Sequence, residues 1–376
     1  MPALARAFWA AIALLVYTHA GYPIVLRLLA RRGPPDPLGS DPSGGAPLVS
    51  LIVAAHDEED VIARKIENAL SLDWPRERLE VILASDGSAD ATVERARAAG
   101  ADVVLDLPRA GKIAAQNAAA DCARGALLAF SDANAYWEPD SLARLVGRFA
   151  DPEVGYVCGQ VRFVDAEGSN EEGAYWRFEM VVRELESELA GVTAGNGAIY
   201  AVRREAYLPL GPSRSHDLSF PFALTKGGWR CIYEPGAVAE EKLVPTLEGE
   251  FERKRRMMRG LWDIVVRDGM VSPRGYPALY GFEIVSHRLL RYASPFLHLV
   301  AFVANLGLLG RGRVYRLALV GQLAILVAAA SADAAPSRLA RISRYYVYVT
   351  ASIAAGLWDR VRQGPPAAWE RSEGTR

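Results

Sequence analysis

Phe8 to Leu26 carries no charge apart from His19 and ends at Arg27, Arg31 and Arg32. That length is close to the ~20 residues a helix needs to cross a bilayer. The pattern predicts an N-terminal anchor with its arginines inside, by the positive-inside tendency. A cleaved signal peptide competes, but no small-residue cleavage site follows "VYTHAGYP". Ala293 to Leu309 and Leu317 to Ala332 are again apolar and long enough to span, whereas Tyr345 to Trp358 is short enough for an interfacial segment. "RGRVYR" (311–316) and "SRLARISR" (337–344) flank the same apolar segment, so charge leaves the topology of this end open. The resulting plan is an anchor (1–30), a Pro-, Gly- and Ser-rich linker (31–47), a cytosolic domain (48–285), membrane or interfacial helices (286–360) and a polar tail (361–376).

Within 48–285 the pattern alternates. "LVSLIVAA" (48–55) is a continuous apolar run of strand length, as expected for a strand covered on both faces. "DEEDVIARKIENALSL" (57–72) then places Val61, Ile62, Ile66, Ala69 and Leu70 on one side of a helix. A strand at 79–85, a helix at 90–100, a short strand in "ADVVLDL", a helix in "GKIAAQNAAADCA" and a strand in "GALLAFSDAN" follow. Such alternation predicts an α/β domain with a mostly parallel, doubly wound sheet and helices on both faces. Ligands of such sheets bind outside the carboxyl ends of the strands. Here those ends read "HDEE", "SDGS" and "SDAN".

Composition narrows this picture further. A net charge of −1 gives no global basic field for nucleic acid. Cys122, Cys158 and Cys231 are far apart, which predicts buried free thiols rather than a disulfide framework or a zinc site. The first strand is not followed by GxGxxG, so a nucleotide would not be held by a glycine-rich phosphate loop. Asp132 ends an apolar run and Asn134 follows two residues later, which fits either an Asx turn or oxygen ligands for a hard cation. Lys112 follows Gly111 at a helix start, where main-chain N–H groups and an ammonium can meet a phosphate; a solvated surface lysine is the plainer reading.

In this order, "VSLIVAAHDEE", "SDGSAD", "GKIAAQNAA", "FSDANAYWEPDSL", "GNGAIYAVRRE" (195–205) and "SHDLSFPFALTKGGWRCIYEPGA" resemble the inverting family-2 glycosyltransferases of the GT-A fold, including its membrane-bound members. The likeness covers about residues 48–260. It implies a nucleotide-sugar donor, UDP-linked, a lipid-linked or polysaccharide acceptor, and Mg²⁺ or Mn²⁺ on Asp132 and Asn134. Asp86 matches the residue that accepts a hydrogen bond from uracil, and His56 and Glu58 stand where the nucleoside is contacted. Asp217 matches the base that takes the acceptor hydroxyl's proton, with His216 in place of the usual preceding acid. In "FERKRRMMRGLW" (251–262), Arg253 and Arg256 fill the place of QxxRW and would hold the diphosphate, while Met257 replaces the Trp, against long processive synthesis. A basic helix lying on anionic lipid is the other reading of that segment.

The resemblance further implies an inner-membrane protein with a cytoplasmic catalytic domain and envelope-polysaccharide assembly proteins as partners. Three rivals stand beside it: a polyprenyl-phosphate sugar transferase, an inactive scaffold of an export complex, and a nucleotidyltransferase. A scaffold has no need of Asp86, Asp132 and Asp217 together.

Overall fold

A computed structural model of the chain describes residues 2–30, 45–164, 171–242, 247–332, 334 and 337–364. Most of the expected linker (31–44) and of the polar tail (365–376) lie outside the described residues.

Residues 49–242 are built on one eight-stranded sheet in the order β3-β2-β1-β4-β7-β6-β8-β5. Its strands are β1 (Val49–Ala55), β2 (Leu79–Asp86), β3 (Val103–Leu107), β4 (Leu127–Asp132), β5 (Tyr136–Trp137), β6 (Val154–Val164), β7 (Ile199–Arg203) and β8 (Arg230–Lys242). The first four run parallel, as the alternation predicts. Beyond β4 the sheet turns mixed: β7 pairs antiparallel with both β4 and β6, β8 is parallel to β6, and β5 is antiparallel to β8.

Side-chain alternation along β1 explains why the run had to be apolar throughout. Leu51 and Val53 pack with Ile62 and Ile66 of α3 (Glu59–Leu70), Ala96 of α4 (Thr92–Ala98) and Leu142 of α6 (Ser141–Gly147). Ile52 faces the other way, with Ala119 of α5 (Lys112–Cys122), Met180 of α7 (Glu171–Leu189) and Phe220 of α8 (His216–Lys226). Both faces are therefore covered by helices. Each fully buried side chain of this kind contributes about 1.5–3 kcal/mol. All three cysteines are free, and Cys158 and Cys231 are buried while Cys122 is exposed.

Three helical runs are long and apolar enough to cross a membrane: Pro2–Leu29, Ala278–Leu306 and Arg313–Ala330. The first joins α1 (Pro2–Val16) to α2 (Tyr22–Leu29) through a π-helical turn at Tyr17–Gly21. The second joins α10 (Ala278–Glu283) to α11 (Leu290–Leu306) through another at Ile284–Leu289, so the boundary expected after residue 285 falls inside one continuous helical run. The third is α12 (Arg313–Ala330). It is followed by α13 (Arg338–Gln363), which pairs with α9 (Leu247–Trp262). Arg255 of α9 holds Asp359 of α13 with two hydrogen bonds, 2.6 and 2.9 Å, and Arg259 donates to the carbonyl of Gly364 at 2.7 Å. Part of the basic face of α9 is thus spent on a protein partner.

Candidate active site

Because β1, β2 and β4 are parallel neighbours, their carboxyl ends share one edge of the sheet. His56 and Glu58 follow β1, Asp86 closes β2 and Asp132 closes β4. The turn after β1 puts Asp57 at φ 50°, a conformation that Asp and Asn tolerate better than other side chains. Its Oδ1 accepts from the Ala89 N–H at 2.7 Å, which ties this turn to the one after β2. Asp90 completes that tie, accepting from the N–H groups of Glu59 (3.2 Å) and Thr92 (3.1 Å). Glu58 itself is buried, with its N–H on Thr92 Oγ1 at 2.7 Å.

Asp86 is 1% exposed, and its Oδ1 accepts from the N–H groups of Ala110 (2.6 Å) and Gly111 (2.9 Å). Among the described residues nothing donates to its buried Oδ2. Leaving such an atom unmet costs about 1–3 kcal/mol, so it marks a place for a donor from outside the chain. Gly87 beside it has φ +64°, and a Cβ there would lie 2.8 Å from the Arg109 nitrogen, so only glycine fits. His56 Nδ1–H donates to the Asp86 carbonyl at 2.8 Å, leaving Nε2 to accept from the Arg109 guanidinium.

Asp132 and Lys112 form a hydrogen-bonded ion pair, each about a quarter exposed. Two residues on, the Asn134 amide donates to Glu241 Oε1 at 3.3 Å. Burial works against the Lys112 ammonium, but Asp132, Asp217 and Glu241 together raise its pKa above the ordinary lysine value. Burial, then the neighbouring Asp132, pushes Glu241 up to about 7, while Arg253 and Lys112 pull it back. The structure so places Lys112, Asp132, Asn134 and Asp217 near one another, with Glu241 beside them. Among the described residues no group of three His, Cys, Asp or Glu side chains is placed to hold a metal. Asp132, Asn134 and Glu241 nevertheless offer only oxygen donors on the metal side, the chemistry Mg²⁺ and Mn²⁺ require, and a donor's phosphates would complete the set.

Beneath this edge Lys65 is fully buried, donating from Nζ to the Ala135 carbonyl at 2.5 Å and lying over the Trp137 ring. Burial brings it down to about 7, against the pull of Asp132. Lys65 thus braces the turn that carries Asp132 and Asn134.

Asp217 lies in the first turn of α8 and lines a cavity of about 270 Å³ with Lys112, Gln116, Tyr200, Arg214 and His216. Four residues on, Pro221 has no N–H to return to the Asp217 carbonyl. That carbonyl accepts instead from the Gly195 N–H at 2.6 Å. Gly195 cannot be larger: a Cβ there would lie 1.8 Å from the Tyr156 hydroxyl. His216 stacks on Phe220 and meets the Tyr200 hydroxyl through Nδ1 at 2.5 Å; burial, then Lys112, holds it down to about 3. It is a neutral ring and does not replace the charge of a second acid.

Arg253 stands on the side of α9 that feels Glu241, with Arg256 nearly one turn further along. Sequence reasoning missed Glu241, Lys65, Arg109, Tyr200 and Arg214. Lys65 had a signal, since it interrupts the apolar face at Ile62, Ile66 and Ala69.

Residues 50–208 match the family model described as glycosyl transferase family 2. The fold is similar to that of the mannosyltransferase PcManGT from Pyrobaculum calidifontis, solved in complex with GDP-Man and Mn²⁺, at a TM-score of 0.73. That likeness covers 95% of this chain and 99% of the other, at 24% identity. Among curated proteins, a beta-monoglucosyldiacylglycerol synthase from Trichormus variabilis is 28% identical over 262 residues, 63% of this chain and 55% of that protein. A poly-beta-1,6-N-acetyl-D-glucosamine synthase from Staphylococcus aureus is 23% identical over 232 residues, 58% of this chain and 56% of that protein. The chain spans about half the length of the curated relatives it matches. Over residues 50–208 the chain carries the family-2 glycosyltransferase match, and its fold is similar to that of a solved glycosyltransferase.

Proposed function

We propose that this chain is a membrane-bound inverting glycosyltransferase that moves a sugar from a nucleotide donor, UDP-linked, to a lipid-linked or polysaccharide acceptor without long processive synthesis. The observation that carries the reading is Lys112, whose ammonium lies among Asp132, Asp217 and Glu241 beside one cavity. A diphosphate needs cations and an attacking hydroxyl needs a base, and both chemistries meet there.

The open Oδ2 of Asp86 receives an N–H of the nucleobase, with His56 and Glu58 alongside the nucleoside. Lys112 at the start of α5, Arg253 and Arg256 hold the diphosphate. Asp132, Asn134 and Glu241 would hold Mg²⁺ or Mn²⁺ together with the donor phosphates, and such an ion would supply positive charge for the departing diphosphate. Asp217 takes the acceptor hydroxyl's proton as that oxygen bonds to the anomeric carbon from the face opposite the leaving group. The bond from that carbon to the phosphate oxygen breaks, and its electron pair leaves with the nucleoside diphosphate. The three apolar helices support a multi-pass membrane protein. An inner-membrane location, this domain on the cytoplasmic side and envelope-polysaccharide assembly proteins as partners belong to the same proposal.

The test is nucleoside diphosphate release from a panel of UDP- and GDP-sugars with Mn²⁺, Mg²⁺ or EDTA and membrane lipid as acceptor. Metal-dependent release from one donor is expected. It should be lost in Asp132→Ala and reduced about 10²- to 10⁴-fold in Asp217→Asn. An Asp217→Asn chain with undiminished transfer would point instead to a polyprenyl phosphate acceptor, whose phosphate needs less help from a base.

A further inference from the structure

Away from the sheet edge, a second set of polar side chains lies where the chain enters the membrane. The Tyr346 hydroxyl of α13 meets His298 Nε2 at 2.6 Å and His19 Nε2 at 3.1 Å, so it bridges the first two spanning runs. His19 is exposed, and Arg291 lies within electrostatic reach of it. Ionisable side chains inside spanning segments are costly and usually mark function.

Their level in the bilayer can be worked out. Tyr22 and Leu26, in the last part of the first run, are buried against Val182, Leu185 and Leu189 of α7. That docked stretch belongs to the catalytic domain and leaves residues 2–21 for the lipid, about 30 Å of helix, one hydrocarbon thickness. His19 therefore stands close to the boundary on the domain side. α13 fits the same level: its first turns carry Arg338, Arg341 and Arg344, as suits a helix among headgroups. Both spanning runs also break into π-helical turns here, at Tyr17–Gly21 and Ile284–Leu289, and such turns recur at functional sites.

From this cluster polar contacts continue inward. Arg291 donates to Glu179 at 2.5 Å and approaches His287 at 3.5 Å. His287 meets Glu186 at 2.7 Å, and Glu186 accepts from Thr193 at 2.9 Å. Thr193 opens the loop whose Gly195 N–H binds the Asp217 carbonyl.

We propose that His19, His298 and Tyr346, with Arg291 behind them, receive the phosphate headgroup of a membrane lipid at the outer end of this polar path to Asp217. Imidazole, phenol and guanidinium groups all offer N–H or O–H donors; the one carboxylate on them, Glu179, is engaged by Arg291 and His287 on the inner side. The Tyr346 O–H lies between the two imidazole Nε2 atoms, so a phosphate would be met by an imidazole N–H that Tyr346 does not use and by the Arg291 guanidinium, with Tyr346 turning its O–H to it. A long isoprenoid or acyl chain would lie along the exposed apolar faces of the spans. The proposal rests on the transferase reading for its purpose, since the lipid would be the acceptor, but its test does not require turnover.

The experiment measures equilibrium binding to the full chain in detergent micelles, with farnesyl phosphate, farnesol and inorganic phosphate as probes. Farnesyl phosphate should bind at least about tenfold more tightly than either, the effect of one hydrogen bond to a charged group. Tyr346→Phe should remove about that factor, and Asp217→Asn should leave it unchanged. Should Tyr346→Phe unfold early, His19→Phe at an exposed position carries the same test. Equal affinity for farnesol, or affinity retained in both variants, would overturn the headgroup site. Inorganic phosphate binding as tightly as the lipid would overturn the lipid as its occupant. Loss of nucleotide-sugar turnover alone would count against the transferase reading and not against this one.

Discussion

Two buried carboxylates, one in each of the charge-crowded regions of this molecule, are met in opposite ways. At the membrane junction, Glu186 is 1% exposed and accepts from Tyr22 (2.6 Å), His287 (2.7 Å), the Thr193 hydroxyl (2.9 Å) and the Thr193 N–H (3.4 Å). At the sheet edge, Asp86 is equally buried, yet one of its oxygens meets no donor among the described residues. Buried polar atoms in proteins are nearly always satisfied, so each exception needs a reason. A carboxylate with every lone pair filled by its own chain holds structure together. One with an open oxygen is arranged for something that arrives later.

Removing Glu186 should break this contrast hardest. Glu186→Ala leaves Tyr22, His287 and Thr193 unmet and should cost about 3–5 kcal/mol, read as early thermal unfolding in detergent. Donor binding to whatever remains folded should be unchanged. Asp86→Asn should do the reverse. Its Oδ1 can still accept from Ala110 and Gly111, while an N–H now faces the nucleobase, so nucleotide affinity should fall about 10- to 100-fold by titration calorimetry. Its melting temperature should hold. If Asp86→Asn proved unstable and still bound nucleotide normally, the distinction between the two carboxylates would collapse.

A third effect, seen only on acidification, is expected at His216. Burial holds it down to about 3, against 6.5 for an ordinary histidine, so between those values the unfolded chain binds the extra proton. Stability is full above pH 6.5 and declines as pH falls toward 3. His216→Gln should flatten that decline in melting temperature measured between pH 7 and 4. An unchanged slope would mean the ring is not shielded as described.

The parallel half of the sheet was legible because its main strands are largely apolar runs, and β2 and β4 stop on acids, which is how Asp86 and Asp132 stood out. The order β7-β6-β8-β5 was not, because antiparallel and mixed pairings depend on contacts far apart in sequence. Glu241 shows the difficulty at one residue. Neighbouring strand positions point to opposite faces, and nothing local says that Glu241 meets Asn134 while Glu240 pairs across the strands with Tyr136. The second spanning run also begins earlier than the apolar stretch from Ala293 suggested. Glu283, His287, Arg288 and Arg291 look like the end of a soluble domain, and the partners that His287, Arg288 and Arg291 find in Glu186, Thr193 and Glu179 offset the cost of keeping them in the helix.

Pro221 does more than interrupt α8. By withholding one amide it mounts the Asp217 backbone on the Gly195 loop, and that loop is held from the membrane side by the Arg288 bond to Thr193 and the Tyr280 bond to Val192. The Asp217 backbone is therefore tied, through that loop, to the second candidate span as well as to the helix it begins. A tilt of the second candidate span would be felt at Asp217 before it was felt at Asp86 or Asp132, so under the proposed function bilayer thickness would act on the base before it acted on the donor site.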